Sequence, residues 1–261
     1  MGRAYHMDGV TAKRLRLGKV FIDVVSFAEA LDEIARLVAS GNGGFVFTPN
    51  VDHIVMVDSH PEFEAAYQKA SLCLADGVPV VWASRLFDTP LPEKVSGSDL
   101  IGPLLELAGQ KQWRVAFVGA APGVAEKAAE VARTKWGTNV VLTEAPMVNL
   151  KDKAQLDAIG ERVAAAKPEL ALMAFGAPKQ ELLINHIAER VKPAVLLGVG
   201  ASLDFIAGTL KRAPVVFQKT GFEWLYRLGQ EPRRLWRRYL INDPKFALIL
   251  MRSLKDARKR R

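Results

Sequence analysis

This sequence predicts an open, doubly wound α/β fold, in which helices cover both faces of a mostly parallel sheet. Two observations carry that expectation. Runs such as 114–119 and 170–175 are apolar with little alternation, as in strands buried on both faces. Amphipathic stretches of about 10 to 15 residues separate such runs, long enough to serve as the crossover helices that parallel neighbours require. A closed eight-fold barrel needs more strand–helix units than the chain contains, which leaves the open, Rossmann-like arrangement.

Each element has its own signal. Residues 20–25 read as a strand and 27–40 as a helix with Leu31, Ile34, Leu37 and Val38 on one face. Glycines at 41, 43 and 44 break the chain, and a buried strand over 44–47 stops at Thr48-Pro49-Asn50. A helix over 61–70 and a short strand over 72–75 follow, the latter ending at Asp76-Gly77. The pattern then gives strand 114–119, helix 122–136, strand 139–143, helix 151–167, strand 170–175, helix 178–191 and strand 194–199. Beyond Ala207 it changes: 222–230, 232–241 and 244–258 read as short helices, each opened or preceded by a turn signal. The expected organisation is an α/β catalytic body over 1–207 and a helical, basic appendage over 208–261.

Hydrophobic residues make up 49% and charged residues 25% of the 261, which excludes a disordered, collagen-like or disulfide-scaffolded chain. The single cysteine, Cys73, forbids an internal disulfide and suits a reducing compartment. Residues 1–10 lack the apolar core of a signal peptide, and no apolar run approaches the roughly 18 residues of a spanning helix. The net charge of +8 is unevenly placed: residues 207–261 hold 15 Lys and Arg against 4 Asp and Glu, so the remainder is slightly acidic. A basic end on a near-neutral body points to a polyanionic surface, whether nucleic acid, anionic lipid or phosphate. Nucleic acid is disfavoured, because no helix-turn-helix, zinc-finger or RNA-recognition signature accompanies the charge.

In open α/β sheets ligands bind beyond the carboxyl ends of the strands. That rule nominates Thr48, Asn50 and Asp52 after one strand, Asp76 after another, Gln180 after a third, and 198–202 with Asp204 after a fourth. Asp76 leaves an apolar strand at a sharp turn, where partial desolvation raises a carboxylate's pKa and suits it to general-base work. A capping or Asx-turn role fits the same position. Gly176-Ala177-Pro178-Lys179-Gln180-Glu181 could present a helix N-terminus to phosphate, or could be an ordinary strand-to-helix turn. The dinucleotide fingerprint is incomplete, and no P-loop, zinc motif or D-x-D pair is present. No cofactor and no metal ligand are therefore expected. His53 reads as structural and Cys73 as inert core.

Several blocks taken together resemble the WecG/TagA/CpsF family of bacterial glycosyltransferases. They are Thr48-Pro49-Asn50-Val51-Asp52-His53, Ala75-Asp76-Gly77-Val78-Pro79, Ser96-Gly97-Ser98-Asp99, the Gly176–Glu181 block, Lys211-Arg212-Ala213-Pro214, and Glu223-Trp224-Leu225-Tyr226-Arg227-Leu228 with Gln230-Glu231-Pro232. The resemblance covers roughly residues 17–255. It implies inverting transfer of N-acetylmannosamine, its uronic acid or glucose from a UDP-sugar to a polyprenyl-diphosphate-linked sugar, in cell-surface polysaccharide or teichoic acid precursor synthesis. It further implies that Asp76 is the base and that Thr48 and Gln180 line its pocket. The substrate-binding set is Asn50, Asp52, Gly77, Ser98, Asp99, Gly176, Lys179, Asp204 and Arg212, with Arg227, Arg234, Arg237 and Arg238 as the arginines that meet the diphosphate. The setting implied is the cytoplasmic face of the inner membrane, with self-association left open. Residues 246–251 form an apolar run between cations, which suits a helix lying in an anionic interface. A core helix with a solvated basic tail is the alternative.

Overall fold

The computed structural model describes residues 13–214, 216–217, 223–230 and 232–259. Expectations for residues 1–10, Phe222, Glu231 and 260–261 lie outside the described residues, as do those for the side chains of Arg227, Gln230 and Arg234. The chain begins with an antiparallel hairpin of β1 (Arg14–Leu17) and β2 (Val20–Asp23), turned at Gly18. Helix α1 (Phe27–Ser40) follows behind a capping box of Ser26 and Glu29. Then come β3 (Gly44–Phe47), α2 (Val51–Ser59), α3 (Pro61–Lys69), β4 (Leu72–Cys73), α4 (Val78–Ser84) and α5 (Gly97–Gln110). The next stretch alternates β5 (Arg114–Gly119), α6 (Val124–Trp136), β6 (Asn139–Glu144), α7 (Lys153–Ala165), β7 (Leu170–Ala174), α8 (Lys179–Ile187), β8 (Val195–Gly198) and α9 (Ser202–Ala207). The C-terminal helices are α10 (Glu223–Gln230), α11 (Pro232–Arg237), a π-helical segment (Arg238–Asn242) and α12 (Lys245–Lys259).

Six strands form one parallel sheet in the order β4-β3-β8-β7-β5-β6. This is the expected open α/β fold. Alternate residues of each strand enter two separate cores: Phe45, Phe47, Ala116, Val118, Ala171 and Met173 meet α2, α3, α7 and α8, while Val46, Val115, Phe117 and Leu172 meet α1, α5, α6 and α9. The neighbours β3 and β8 therefore send the chain to opposite faces, β3 to α2 and β8 to α9. The gap between their carboxyl ends is a topological switch point, where an open sheet leaves a crevice.

Two features of the α/β body depart from the sequence expectations. The strand expected at 20–25 pairs outside the main sheet, in the hairpin. Asp23, buried in that hairpin, accepts from Arg14 Nε at 2.6 Å and from the Cys73 backbone N–H at 2.8 Å, so it covers the exposed edge of β4. Helices α2, α4, α5 and α9 had no sequence expectation. Helix α5 carries Gly97, Gly102, Pro103 and Gly109, which lower helix propensity. Gly109 answers to packing instead, since a Cβ there would collide with the Trp136 carbonyl at the end of α6.

Helix α12 corrects the expectation for residues 246–251. Ile249 is buried with the α2 side of the core, and Phe246 and Leu250 pack against it, whereas Leu248 and Met251 are exposed. Gly18 N–H donates to Ser253 Oγ at 2.8 Å, and Arg252 pairs with Asp58 at 2.7 Å. The run is thus neither wholly core nor wholly free. Among the described residues no helix is long and apolar enough to cross a membrane.

Candidate active site

The strand ends position the polar groups. After β3 the chain turns at Pro49, whose carbonyl accepts the Asp76 N–H at 3.0 Å, while the Ala75 carbonyl accepts Val95 N–H at 2.8 Å. These bonds hold the β3 and β4 exits side by side and leave Asp76 half-buried. Gly77, at φ +104°, swings the chain away into α4, a conformation that favours glycine. Asn50 caps α2 by accepting His53 N–H at 3.2 Å.

Asp76 opens onto a cavity of about 330 Å³. Its body-side wall is Asn50, Asp52, Gly77, Val78, Pro79 and Lys94, and its opposite wall is Glu223, Trp224, Arg238, Tyr239, Asp243 and Phe246 from the C-terminal helices. Arg238 ties the two walls together, with Nε 3.2 Å from Asp52 Oδ2 and a terminal nitrogen donating to Asn50 Oδ1 at 3.4 Å. The Trp224 and Tyr239 rings lie 5.6 Å apart, and the Arg238 guanidinium sits 5.3 Å from the centre of the Tyr239 ring. Burial raises the pKa of Asp52 against the opposing charge of Arg238. Burial likewise lifts Asp243 to about 6, with Arg238 opposing and the Asp52 charge adding to the rise.

A second polar layer is buried close to this wall. His53 Nδ1 and Tyr67 Oη are 2.7 Å apart, and burial with the nearby Arg238 charge drives the histidine pKa down to about 3. His53 is therefore a neutral core residue, as its sequence context suggests. Gln180 and Glu181 are both buried at the start of α8, where Gln180 Nε2 donates to Glu181 Oε1 at 2.8 Å and Gly200 N–H donates to Gln180 Oε1 at 2.9 Å. Burial raises the Glu181 pKa to about 7. Burial also raises the Tyr67 hydroxyl, and the neighbouring Glu181, Cys73 and Asp76 add to the rise.

Of the residues nominated from sequence, the cavity brings together Asn50, Asp52, Asp76, Gly77 and Arg238. Thr48 and Gln180 are buried and absent from its wall; Thr48 Oγ1 faces Gly97 at the start of α5, and the amide of Gln180 is spent on the fold. Ser98, Asp99 and Arg212 lie off the wall but are joined to it through Lys94, with Arg212 donating to Asp99 Oδ1 at 2.6 Å and Lys94 pairing with Asp99 at 2.8 Å. Gly176 turns the chain before α8, Lys179 is the first residue of that helix, and Asp204 receives the Thr209 hydroxyl at the end of α9. Arg237 is exposed and also off the wall. Sequence reasoning missed Lys94, Asp243, Phe246 and the buried Glu181. The available signals were the Asn-Asp-Pro turn before α12 and the acid that closes the Gly176–Glu181 block.

Chemically, a half-buried carboxylate at the mouth of a cavity can take a proton from a hydroxyl, and a cation on the facing wall can offset negative charge. Trp224 and Tyr239 offer faces on which a flat ring can stack. Among the described residues no group of three or more His, Cys, Asp or Glu is arranged to hold a metal ion.

Comparison with known proteins bears on this geometry. The sequence model of the Glycosyl transferase WecG/TagA/CpsF family matches residues 15–260. The N-acetylglucosaminyldiphosphoundecaprenol N-acetyl-beta-D-mannosaminyltransferase of Bacillus spizizenii is 33% identical over 242 residues, covering 92% of this chain and 91% of that protein.

Proposed function

The chain belongs to the WecG/TagA/CpsF family of glycosyltransferases, and from that premise we propose that it transfers a sugar, with inversion, from a UDP-sugar to a polyprenyl-diphosphate-linked sugar. The donors in contention are UDP-linked N-acetylmannosamine, its uronic acid and glucose; the Bacillus relative's name favours the first, with N-acetylglucosamine as the acceptor sugar. The observation that carries the reading is that one cavity is lined both by the Asp76 carboxylate and, from the C-terminal helices, by the Arg238 guanidinium. In a single displacement Asp76 accepts the proton of the acceptor hydroxyl while that oxygen attacks the anomeric carbon. The bond from that carbon to the UDP oxygen breaks on the opposite face, and negative charge gathers on the diphosphate. Arg238 and Lys94 stand where cations can offset it, a role that a D-x-D-held divalent ion fills in many nucleotide-sugar enzymes. We assign the uracil to the Trp224 and Tyr239 faces.

In this reading residues 208–261 are an appendage that completes the site and rests on an anionic membrane surface, which places the enzyme peripherally at the inner face of the cytoplasmic membrane. Exposed Trp236, Leu240, Leu248 and Met251 among exposed Arg233, Arg237, Lys245, Arg252 and Lys255 support this. The deciding experiment is a panel of UDP-sugars with a synthetic lipid-diphosphate-N-acetylglucosamine acceptor, following UDP release and the anomeric configuration of the product. One donor should react, with inversion. Absence of transfer from every UDP-sugar, or a retained configuration, would overturn the proposal.

A further inference from the structure

Glu181 has no task in the chemistry above and is absent from the cavity wall, yet it lies 3.9 Å from His53, the residue that follows Asp52 of that wall. It is fully buried in the first turn of α8. Through Gln180 its Oε1 is linked to the Gly200 N–H, so the two side chains brace α8 against the turn between β8 and α9. Its Oε2 has no hydrogen-bond partner among the described residues. Nor does a Lys or Arg pair with it among the described residues. From α2 it meets His53, 3.9 Å away at Nδ1 and held neutral by burial. Tyr67 of α3 faces it, and Cys73 and Asp76 at the β4 end bear on that same tyrosine. Arg238 of the π-helical segment bears on His53 and Asp52. An ionised carboxylate here would be a buried charge with no counter-charge, and proteins avoid that state by keeping the proton.

We propose that Glu181 is a positioning residue of the active site that works as an uncharged acid, bracing Gln180 against Gly200 and keeping negative charge away from the bound diphosphate. The ligand in this inference rests on the UDP-sugar reading; the protonation state of Glu181 does not. The group titrates near neutrality because burial lifts it to about 7. A diphosphate and a Glu181 carboxylate oppose each other, and linkage is reciprocal: rising pH weakens diphosphate binding, and diphosphate binding draws a proton onto Glu181. The conservative variant Glu181→Gln keeps the shape and the acceptor oxygen for Gln180 but has no proton to exchange.

The test is calorimetric titration of UDP into the full chain near pH 7, in buffers of different ionisation enthalpy. UDP's own phosphate contributes equally to wild type and variant. Wild type should take up a fraction of a proton per UDP beyond the uptake of Glu181→Gln, and its UDP affinity should fall several-fold more than the variant's between about pH 6 and 8. Equal uptake with parallel affinity profiles would overturn the inference. Infrared difference spectra of the ligand-free proteins, all carrying Asp243→Asn to remove the other carboxyl lifted to about 6, provide a second reading: a protonated-carboxyl band near pH 6 with Glu181 present, missing from Glu181→Gln and from the similarly sized Glu181→Met. If that band is missing with Glu181 present the inference fails, whatever UDP does. If UDP does not bind wild type, the donor reading fails and the band alone decides the state of Glu181.

Discussion

Replacing Ile249 by alanine should release the C-terminal helices from the body without unfolding the sheet. Ile249 is 2% exposed and is the one fully buried side chain of α12 among the described residues. It fits so closely over the hairpin that a Cβ on Gly18 would lie 2.7 Å from its Cγ2. Truncation removes three carbons, about 2.4 kcal/mol at roughly 0.8 kcal/mol each, and the space left behind raises the loss to about 3–4 kcal/mol. Phe246 and Leu250 are only partly buried beside it, and the polar ties of α12 are weaker: the bond from Gly18 to Ser253 contributes about 1 kcal/mol, and the exposed Arg252–Asp58 pair less than that. Ile249 therefore outweighs both together. Phe246, Asp243 and Arg238 reach the cavity from this helix and the segment before it, so release should open the site. Hydrogen exchange followed by mass spectrometry is the assay. Amides of α12 and of β1 and β2 should exchange about a hundredfold faster, the factor that some 3 kcal/mol represents, while β5, β7 and β8 keep their protection. Turnover should fall with the docked fraction. Unchanged protection in α12, or equal loss across β5 and β7, would refute the reasoning.

Other expectations are more local. Asp76→Asn keeps the shape but cannot take the proton, so turnover should drop by about 10²–10⁴-fold with UDP binding retained; near-wild-type turnover would remove Asp76 from its role. Turnover should survive EDTA, since cationic side chains are assigned the diphosphate charge; loss restored by Mg²⁺ or Mn²⁺ would reverse that assignment. Asp99 is pushed up by burial, but hydrogen bonds from Lys94, Ser96 and Arg212 outweigh this and hold it at about 2. A depressed carboxyl stabilises the fold above its ordinary pKa of 3.8 and loses that contribution as pH falls toward 2, so the stability gap between wild type and Asp99→Asn should close between about pH 4 and 2 in acid-denaturation curves. Liposome co-sedimentation should depend on anionic lipid, weaken with salt, and weaken in a Leu248→Ser/Met251→Ser variant; binding indifferent to lipid charge would leave the exposed face without a membrane role.

The sheet was readable because burial on both faces leaves β3, β7 and β8 without a polar residue and β5 with only Arg114, at its exposed start. Helices α2 and α5 were not, for opposite reasons. Helix α2 follows β3 across Pro49 and Asn50, a turn signal that points to loop unless Asn50 is recognised as a cap. Helix α5 is stabilised by its contacts at Gly109 and Leu104 and not by propensity, so its glycines and proline argue against it locally. Within the site, Asn50, Asp52 and Asp76 were visible because strand ends are where polar residues gather. Lys94, Asp243 and Glu181 were not. Their roles depend on what faces them across sequence separations of tens to nearly two hundred residues, and a spacing pattern does not encode that.

The two readings of 246–251, core helix and interfacial helix, turn out not to compete. At roughly 100° per residue, Phe246, Ile249, Leu250 and Ser253 fall on one side of α12, and these are the positions that meet the core and Gly18. Leu248, Met251, Arg252, Lys255, Arg258 and Lys259 fall on the other side, and all six are exposed. One helix can thus hold the cavity wall in place with its inner side and, under the membrane reading, meet anionic headgroups with its outer side, without leaving the body. The two sides make separable demands. Leu248→Ser/Met251→Ser should weaken liposome binding and leave the exchange protection of α12 intact. Ile249→Ala should lower that protection while the outer-side cations remain in place. If both variants instead change protection and lipid binding together, docking and membrane contact are one event, and the inner side must move before the outer side can bind.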